Sequence, residues 1–391
     1  KLYIEVSMKV KQIHLKENKI YEGLEKEILD FMPNAIIIFG SLSFFTDPKV
    51  MKSLSQINPE IAILGCSTAG EITNNGVFDE TASLSFMKFE GDSKVNINTA
   101  LYDGVNAREC GSQLSKKIDK NSLKFSIVLG PGVNLNGSDL IRGIQDNLED
   151  DIILTGGLAA DAGNFKQTFI ITNGLISDKH AGIMSFYGEN IEVGFGSMGG
   201  WEVFGPSRKI TKAKGNILFE LDNKPALEIY KEYLGDKSSG LPAAGLLYPL
   251  SILDNDQSDT GVIRTILGID EDEHSIILAG EVLENSMVKL MQARSENLIS
   301  GAETAAKNCI NFMKENQGEK LGILISCIGR KLVLEDEVDE EVEAVVNTFG
   351  PSVICGYYSN GEICPHNQVV QDCKLHNQTM TITLIGECGG V

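Results

Sequence analysis

Short apolar runs, separated by polar and glycine-rich segments, dominate the first hundred residues. The continuous apolar runs at 35–39 and 61–64 predict strands that are buried on both faces. An Asp-Pro pair at 47–48 lies between them and predicts the start of a short helix, because proline suits the first helical position. Apolar and polar residues then alternate at 83–89 and 94–101, which predicts a hairpin of half-buried antiparallel strands.

This order of strand, helix, strand and hairpin recurs along the chain. A second copy begins with the apolar run at 125–129 and continues through a predicted helix at 136–148, so the N-terminal half is internally duplicated. A third copy has buried strands at 321–328 and 352–354 with an acidic helix at 335–343 between them. The pattern predicts an α/β fold with mixed sheets, built from repeated strand-helix-strand-hairpin units whose helices cover the sheet faces.

Length and local composition predict two domains. The chain has 391 residues, and a single domain typically takes about 150. The segment 235–249 is rich in small residues and turn formers, and the change of pattern just before it marks a domain boundary. We predict an internally duplicated N-terminal domain at 8–215 and a C-terminal domain at 216–391, with Met8 as the natural start.

Charge and cysteine content narrow the classes of function. The chain has 54 acidic residues against 34 lysines and arginines, and a net charge of −20 disfavours nucleic acids and anionic membranes as partners. No apolar run approaches the roughly 18 residues of a transmembrane helix, and the N-terminus lacks an apolar signal core. The eight cysteines show no CxxC spacing. We therefore expect a cytoplasmic protein with reduced, mostly buried cysteines.

Two eight-residue turns carry the strongest functional signal. The segments 65–72 and 356–363 each follow a buried strand and end in Gly-Glu-Ile. Ligands of α/β proteins bind beyond the carboxyl ends of parallel strands, where Ser67 and Thr68 could hold a polar ligand and Glu71 an ammonium group or a hydroxyl. One such turn would be explained by chain reversal alone, but the repeated glutamate favours a site in at least one copy.

Arg330 and two histidines leave alternatives open. Arg330 follows a buried strand and could hold a ligand carboxylate in two parallel hydrogen bonds, or pair with the acidic helix that follows it. His366 and His376 lie near Cys364 and Cys373, and this group could hold a metal or haem iron, although its spacing fits no zinc pattern. A polar loop whose histidines bond to the backbone is the favoured interpretation.

Cys66 is the one candidate nucleophile, because it follows a strand within a turn. No histidine accompanies it in the sequence, so a buried or ligand-lining cysteine is favoured. We therefore predict that the chain is not an enzyme, with a cysteine-nucleophile enzyme as an alternative. The acidic run at 335–343 is most simply a solvated helix face, and a scaffold that uses it to bind partners is a further alternative.

Four motifs together resemble the FIST family of sensory proteins, which combine a FIST N-terminal and a FIST C-terminal domain. They are GCSTAGEI at 65–72, ISCIGR at 325–330, GYYSNGEI at 356–363 and LHNQTM at 375–380, and the resemblance covers about 30–387. It implies an intracellular sensor that binds a small metabolite, an amino acid or a carboxylate. We predict no resident cofactor, with haem as the alternative. The chain shows no kinase, cyclase or chemotaxis segment, so it would signal through a separate partner such as a histidine kinase.

The resemblance also implies a set of ligand-binding residues and one alternative function. Some members of the family resemble haem-containing nitric-oxide sensors that regulate a histidine kinase, and in that case His376 or His366 would be the axial ligand. By motif, the ligand-binding candidates are Cys66, Ser67, Thr68, Glu71, Arg330, Tyr357, Ser359, Glu362, His376 and Asn377.

Overall fold

Three copies of one folding unit and an inserted sheet make up the molecule. A computed structural model describes residues 7–16, 23–253, 259–313 and 318–388. Within these ranges the chain forms three six-stranded sheets and one eight-stranded sheet. Parallel and antiparallel strands are mixed, and helices lie on the sheet faces. The predicted α/β class with mixed sheets is therefore confirmed.

The helices and strands follow in chain order. The first unit contains β1 (Lys9–Leu15), α1 (Leu24–Phe31), β2 (Ala35–Gly40), α2 (Leu42–Thr46), α3 (Pro48–Ser55), β3 (Ala62–Ser67), β4 (Glu71–Thr73), β5 (Gly76–Phe78) and β6 (Ala82–Lys88). The second contains β7 (Lys94–Leu101), α4 (Ala107–Ser115), β8 (Leu123–Gly130), α5 (Gly137–Gln145), β9 (Ile153–Leu158), β10 (Ile170–Thr172), β11 (Leu175–Ser177) and β12 (His180–Tyr187).

The third unit is interrupted after its first strand, β13 (Ile191–Met198). The insertion contains β14 (Glu202–Lys214), β15 (Ile217–Leu221), β16 (Lys224–Pro225), α6 (Ala226–Leu234), β17 (Leu250–Leu253), β18 (Asp259–Arg264), β19 (Ile266–Asp270), β20 (Ser275–Leu278) and β21 (Met287–Gln292). The unit resumes with α7 (Ser295–Ile310), β22 (Leu321–Cys327), α8 (Ile328–Leu334), α9 (Val338–Phe349), β23 (Val353–Ser359), β24 (Gly361–Pro365), β25 (Cys373–His376) and β26 (Met380–Glu387).

Each unit donates its hairpin to a neighbouring sheet. Sheet 1 has the order β1-β6-β2-β3-β10-β11, sheet 2 has β25-β24-β9-β8-β12-β7, and sheet 3 has β13-β26-β22-β23-β4-β5. A parallel pair lies inside each sheet, namely β2 with β3, β8 with β9, and β22 with β23. The hairpin after the second parallel strand pairs outside its own unit. This cyclic exchange gives the three sheets a pseudo-threefold arrangement.

The expected hairpin between the runs at 83–89 and 94–101 does not form. β6 pairs with β1 and β2 in sheet 1, whereas β7 pairs with β12 in sheet 2. β6 is buried along almost its whole length, because one face meets the helices of its unit and the other meets the centre of the molecule. Alternating polarity correctly indicated two strands, but the sheet that each one joins depends on contacts far along the chain.

The inner faces of the three sheets share one core. Its buried residues come from the parallel strands of all three units, among them Ile37, Ile127 and Ile325. Residues of α4 and α5 cover the outer face of sheet 2, and residues of α7 and α9 cover sheet 3. The inserted sheet has a separate core that includes Tyr230 and Ile266. The insertion is therefore a second body beside the three-sheet body.

One glycine recurs at the same place in every unit. A Cβ added to Gly65, Gly156 or Gly356 would lie 2.1, 1.9 or 1.9 Å from a backbone oxygen of the neighbouring parallel strand. No side chain fits there, so the close approach of the two strands requires glycine. The three glycines align the residues that follow them, and this alignment places Glu71 and Glu362 at equivalent positions.

The sheets do not follow the predicted split of the chain. β14 and β15, on either side of 215/216, pair with each other, and β13 pairs with β26 near the C-terminus. The three-sheet body therefore contains strands from both sides of residue 215. The domain boundary at 215/216 stays a prediction. In the part of the chain with described coordinates, every helix is too short or too polar to cross a membrane.

Candidate functional site

Two equivalent glutamates are held by hydroxyl groups where the chain crosses between sheets. The Glu71 carboxylate accepts hydrogen bonds from the hydroxyl of Thr68 and from Thr81, whose Oγ1 and backbone N lie 2.5 and 3.2 Å away. The Glu362 carboxylate accepts equivalent bonds from Ser359 at 2.6 Å and from Thr379 Oγ1 and N at 2.9 and 3.2 Å. The repeated Gly-Glu-Ile turn is thus a repeated carboxylate cradle.

Burial dominates the protonation of both glutamates. Removal from water raises the pKa of Glu71 to about 7 and that of Glu362 to about 8, although the surrounding hydrogen bonds act in the opposite direction. Glu71 nevertheless lines a cavity of about 350 Å³, called cavity B here, together with Ser43, Asp161 and Asn164. The cradle of Glu71 therefore combines a structural role with access to a space large enough for a small molecule.

Arg330 forms a buried ion pair, and its guanidinium donors are occupied by groups of the protein. It is fully buried and donates to the Glu341 carboxylate, with its Nε 2.7 Å from Oε1. Further donors go to the carbonyl oxygens of Gly199 and Leu298. The same Glu341 also accepts from Tyr358 Oη at 2.9 Å. Of the two alternatives for Arg330, the structure has the ion pair with the acidic helix, and the proposed carboxylate-binding role is corrected accordingly.

Cys66 and Tyr357 fill the centre of the three-sheet body. Both belong to the shared core, and the ring of Tyr357 lies 4.6 Å from that of Phe39, measured between centroids. Its hydroxyl donates to the Leu158 carbonyl at 3.3 Å. Burial raises the pKa of the Cys66 thiol, which disfavours the thiolate form that a nucleophile needs. Ser67, next in the chain, is also internal and donates to the Ala160 carbonyl at 2.7 Å.

His376 is a buried, neutral histidine. Its Nε2 lies 3.0 Å from the carbonyl oxygen of Cys364 and donates to it, since a carbonyl can only accept. Burial lowers the pKa of His376 to about 4, and the positive charges of His366, Arg264 and Lys374 act in the same direction. The rings of His366 and His376 are stacked, with centroids 5.6 Å apart.

A further candidate site is a cavity of about 400 Å³, called cavity A here. It lies where the edge strand β13 of sheet 3 meets the loop after β24 and the inserted sheet. Phe195 and Trp201 contribute from one side, Ile263 and Met291 from the inserted sheet, and His376 from β25. Among the described residues that line it, none is acidic and none is a lysine or arginine. A cavity at the meeting point of two bodies is a common location for ligand binding.

A buried arginine gives the neighbourhood of cavity A a positive field. Arg264 follows the lining residue Ile263, and its guanidinium donates to the carbonyl oxygens of Glu281, Ile263 and Leu375 at 2.9 to 3.3 Å. The Glu281 carboxylate pairs with Arg142, and its charge also acts on Arg264, where it raises the pKa against the effect of burial. Burial lowers the pKa of Arg264 to about 10, which leaves it charged at neutral pH.

The predicted residues do not converge on one site. Thr68 and Glu71 line cavity B, His376 lines cavity A, and Arg330 lies in the ion pair with Glu341. Ser359 and Glu362 form the second cradle. Asn377 is buried, and its amide has no hydrogen-bond partner among the residues described.

The sequence prediction missed the residues that β13 brings to cavity A. Ser197 and Trp201 lie at and just beyond the end of this strand, and Gly200 between them has φ +84°. The signal that could have found them is the run GSMGGW at 196–201, a glycine-rich turn that follows a strand and contains the single tryptophan of the chain. Asn308 and Ile263 carried no such signal, because each belongs to an ordinary helix or strand pattern.

The geometry of the histidines bears on the haem alternative. Nε2 of His376 is engaged with the Cys364 carbonyl, and its ring lies against His366, so Nδ1 is the nitrogen left for an axial bond. Across the described ranges, no three His, Cys, Asp or Glu residues come together in a way that could hold a metal ion. Haem binding stays a prediction on this geometry.

Comparison with known proteins identifies the family. The FIST N domain matches residues 34–224 and the FIST C domain matches residues 226–365. An uncharacterized protein from Methanocaldococcus jannaschii is 25% identical in an alignment 372 positions long, which covers 86% of this chain and 69% of that protein. The solved structure of cyanuric acid hydrolase from A. caulinodans aligns with 98% of this chain and 99% of its own, at 8% identity and a TM-score of 0.39.

Together the two domain matches cover most of the chain, in the order that the four sequence motifs indicated. Domains of this kind are small-ligand sensory domains of signal transduction. The chain therefore belongs to the FIST family.

Proposed function

We propose that this protein is a cytoplasmic sensor that binds a small carboxylate metabolite in cavity A and signals through a separate partner. The observation that carries the proposal is the charge of the cavity. In a chain of net charge −20, the described lining of this 400 Å³ space contains no carboxylate. The buried guanidinium of Arg264 lies beside it. An anionic ligand would meet attraction there and repulsion at most other surfaces of the molecule.

The position of cavity A suggests how binding could be reported. A ligand there would touch β13 of the three-sheet body and Ile263 and Met291 of the inserted body. Binding would then stabilise the arrangement of the two bodies in which the cavity is closed around the ligand. A partner protein, such as a histidine kinase, that contacts both bodies would detect this shift. No catalytic step or resident cofactor is part of the proposal.

Amino acids are the other ligand class that the sequence favoured. Their ammonium group needs a carboxylate partner, and cavity B offers Glu71, Asp161, Asp79 and Glu80. Cavity A offers none among its described lining residues. The two cavities therefore favour ligands of opposite charge, and the test below separates them.

Matched substitutions of one asparagine in each cavity test the proposal. Asn308→Trp places an indole in cavity A, whereas Asn164→Trp places the same side chain in cavity B. We expect carboxylates from a metabolite panel to raise the melting temperature of the wild type by a few degrees at about 100 times their Kd. Asn308→Trp should weaken binding at least tenfold by isothermal titration calorimetry, and Asn164→Trp should leave it unchanged. Loss of binding in Asn164→Trp alone would move the site to cavity B.

A further inference from the structure

The protonation state of His376 restricts what can bind beside it. A neutral imidazole carries one N–H and one lone pair. Nε2 holds the proton, because it donates to the Cys364 carbonyl oxygen at 3.0 Å. Nδ1 is therefore an acceptor. Among the described residues nothing donates to it, although His376 is only 2% exposed and lines cavity A.

A ligand that enters cavity A displaces water from this acceptor, so a ligand that donates to Nδ1 binds better than one that leaves Nδ1 unpaired. The donor cannot be a carboxylate oxygen, which is itself an acceptor. An ammonium group could donate, but it would lie near Arg264, whose Nη1 reaches the carbonyl of Leu375 next to His376. No described acidic side chain lines the cavity to balance its charge. A neutral donor avoids this repulsion.

We infer that cavity A selects carboxylates that also carry a hydroxyl group, and that this hydroxyl donates to Nδ1 of His376. The inference rests on the proposed function and names its ligand class as hydroxy acids. The positive field beside Arg264 favours the carboxylate end, and Nδ1 of His376 recognises the hydroxyl. Phe195, Met198 and Ile263 offer apolar surface to the carbon skeleton.

Two series of matched compounds test the inference. Phenyllactate, phenylpropionate and phenylalanine share one skeleton and differ in a hydroxyl, a hydrogen or an ammonium group, as do malate, succinate and aspartate. We expect at least one hydroxy acid to bind the wild type about tenfold or more tightly than both of its analogues. His376→Phe should bind the hydroxy and deoxy acids equally, and His376→Gln, whose amide can both donate and accept, should restore part of the preference. His180→Phe, on β12 and outside the described lining of cavity A, should keep the preference.

A measurement on the wild-type protein tests the same inference without a variant, so misfolding cannot affect the result. Nitrogen-15 NMR of the histidine side chains should show His376 protonated at Nε2 at pH 7, and its Nδ1 resonance should move when the hydroxy acid is added but not with the deoxy acid. Protonation at Nδ1, or equal binding of hydroxy and deoxy acids by the wild type, would overturn the inference and leave the carboxylate sensor standing. If no carboxylate binds, or binding survives Asn308→Trp, both proposals fail.

Discussion

At the scale of single residues, the same environment gives Glu71 and Glu362 the same behaviour. Each is buried, each is surrounded by a serine or threonine hydroxyl and a backbone amide, and each has a pKa raised by loss of solvent. Hydrogen bonds from neutral donors compensate only part of the cost of burying a carboxylate. Ionisation of these two carboxyl groups therefore destabilises the folded state.

The pH dependence of stability tests this statement. The folded pKa of Glu362, about 8, exceeds its value of 4.5 without the fold, so the folded chain keeps a proton that the unfolded chain loses. Stability then falls as pH rises from about 5 to 8. Glu362→Gln cannot titrate, so we expect it to gain about 3 kcal/mol over the wild type between pH 5 and pH 8 in urea unfolding. Parallel curves for the two proteins would contradict this, and exposed Glu340→Gln is the control.

Arg330 provides a second prediction at this scale. Its only charged partner among the described residues is Glu341, and both side chains are fully buried. Removing one member of such a pair leaves an uncompensated charge, so Arg330→Met should lower the free energy of unfolding by about 3–5 kcal/mol. Adding Glu341→Gln should restore part of the loss, because the charge disappears while an acceptor for Tyr358 remains.

Carboxylate affinity separates this structural role from a ligand-binding one. The folded double variant Arg330→Met with Glu341→Gln should bind carboxylates like the wild type, by calorimetry. A specific loss of affinity would return Arg330 to the ligand site.

At the scale of elements, the repeated parallel pair is the part of the fold most tightly constrained. The backbones of β22 and β23 approach so closely at Gly356 that a methyl group would meet a backbone oxygen at 1.9 Å. The same contact recurs at Gly65 and Gly156, although the sequences of the three units differ widely elsewhere. Close packing of the strands, rather than chain flexibility, explains these glycines.

Alanine at this position should therefore force the strands apart. We expect Gly356→Ala to destabilise the protein by about 3 kcal/mol, in the range of overpacked core substitutions. Gly268→Ala in β19 is the matched control, because its Cβ would have no neighbour nearer than 3.4 Å. Chemical denaturation measures both variants, and equal stabilities would show that the strand pair tolerates the methyl group.

At the scale of the whole molecule, the exchange of hairpins couples the three sheets. Each sheet contains strands of two units, and the sheets share one core. Unfolding of one sheet would therefore expose apolar surface of the other two. The inserted body has its own core around Ile266. We therefore expect it to unfold separately from the three-sheet body.

Hydrogen exchange tests this coupling. Amides of β3, β9 and β23, one from each sheet, should exchange with the same free energy of opening, because they are released in one cooperative event. Gly65→Ala in sheet 1 should lower protection equally in all three strands and leave β15 and β20 of the inserted sheet less affected. Loss of protection confined to sheet 1 would show that the sheets unfold independently.

Much of the element structure could be predicted because it depends on local pattern. The buried runs at 35–39, 125–129 and 321–328 appear as β2, β8 and β22, since a continuous apolar strand needs cover on both faces wherever it lies. The match between the two Gly-Glu-Ile turns also held, as two equivalent cradles. Pairing was less predictable, and β6 and β7 joined different sheets.

The sequence by itself determined three repeated units, their buried strands, their recurrent turns and the membership of the FIST family. These features rest on patterns within about ten residues of one another, where backbone and side-chain preferences act directly. Only the tertiary structure decided that Arg330 pairs with Glu341, that Tyr357 fills the centre, and that Trp201, Ile263 and His376 share a cavity. Such contacts join residues far apart in the chain, and the packing of whole sheets and the inserted body sets them.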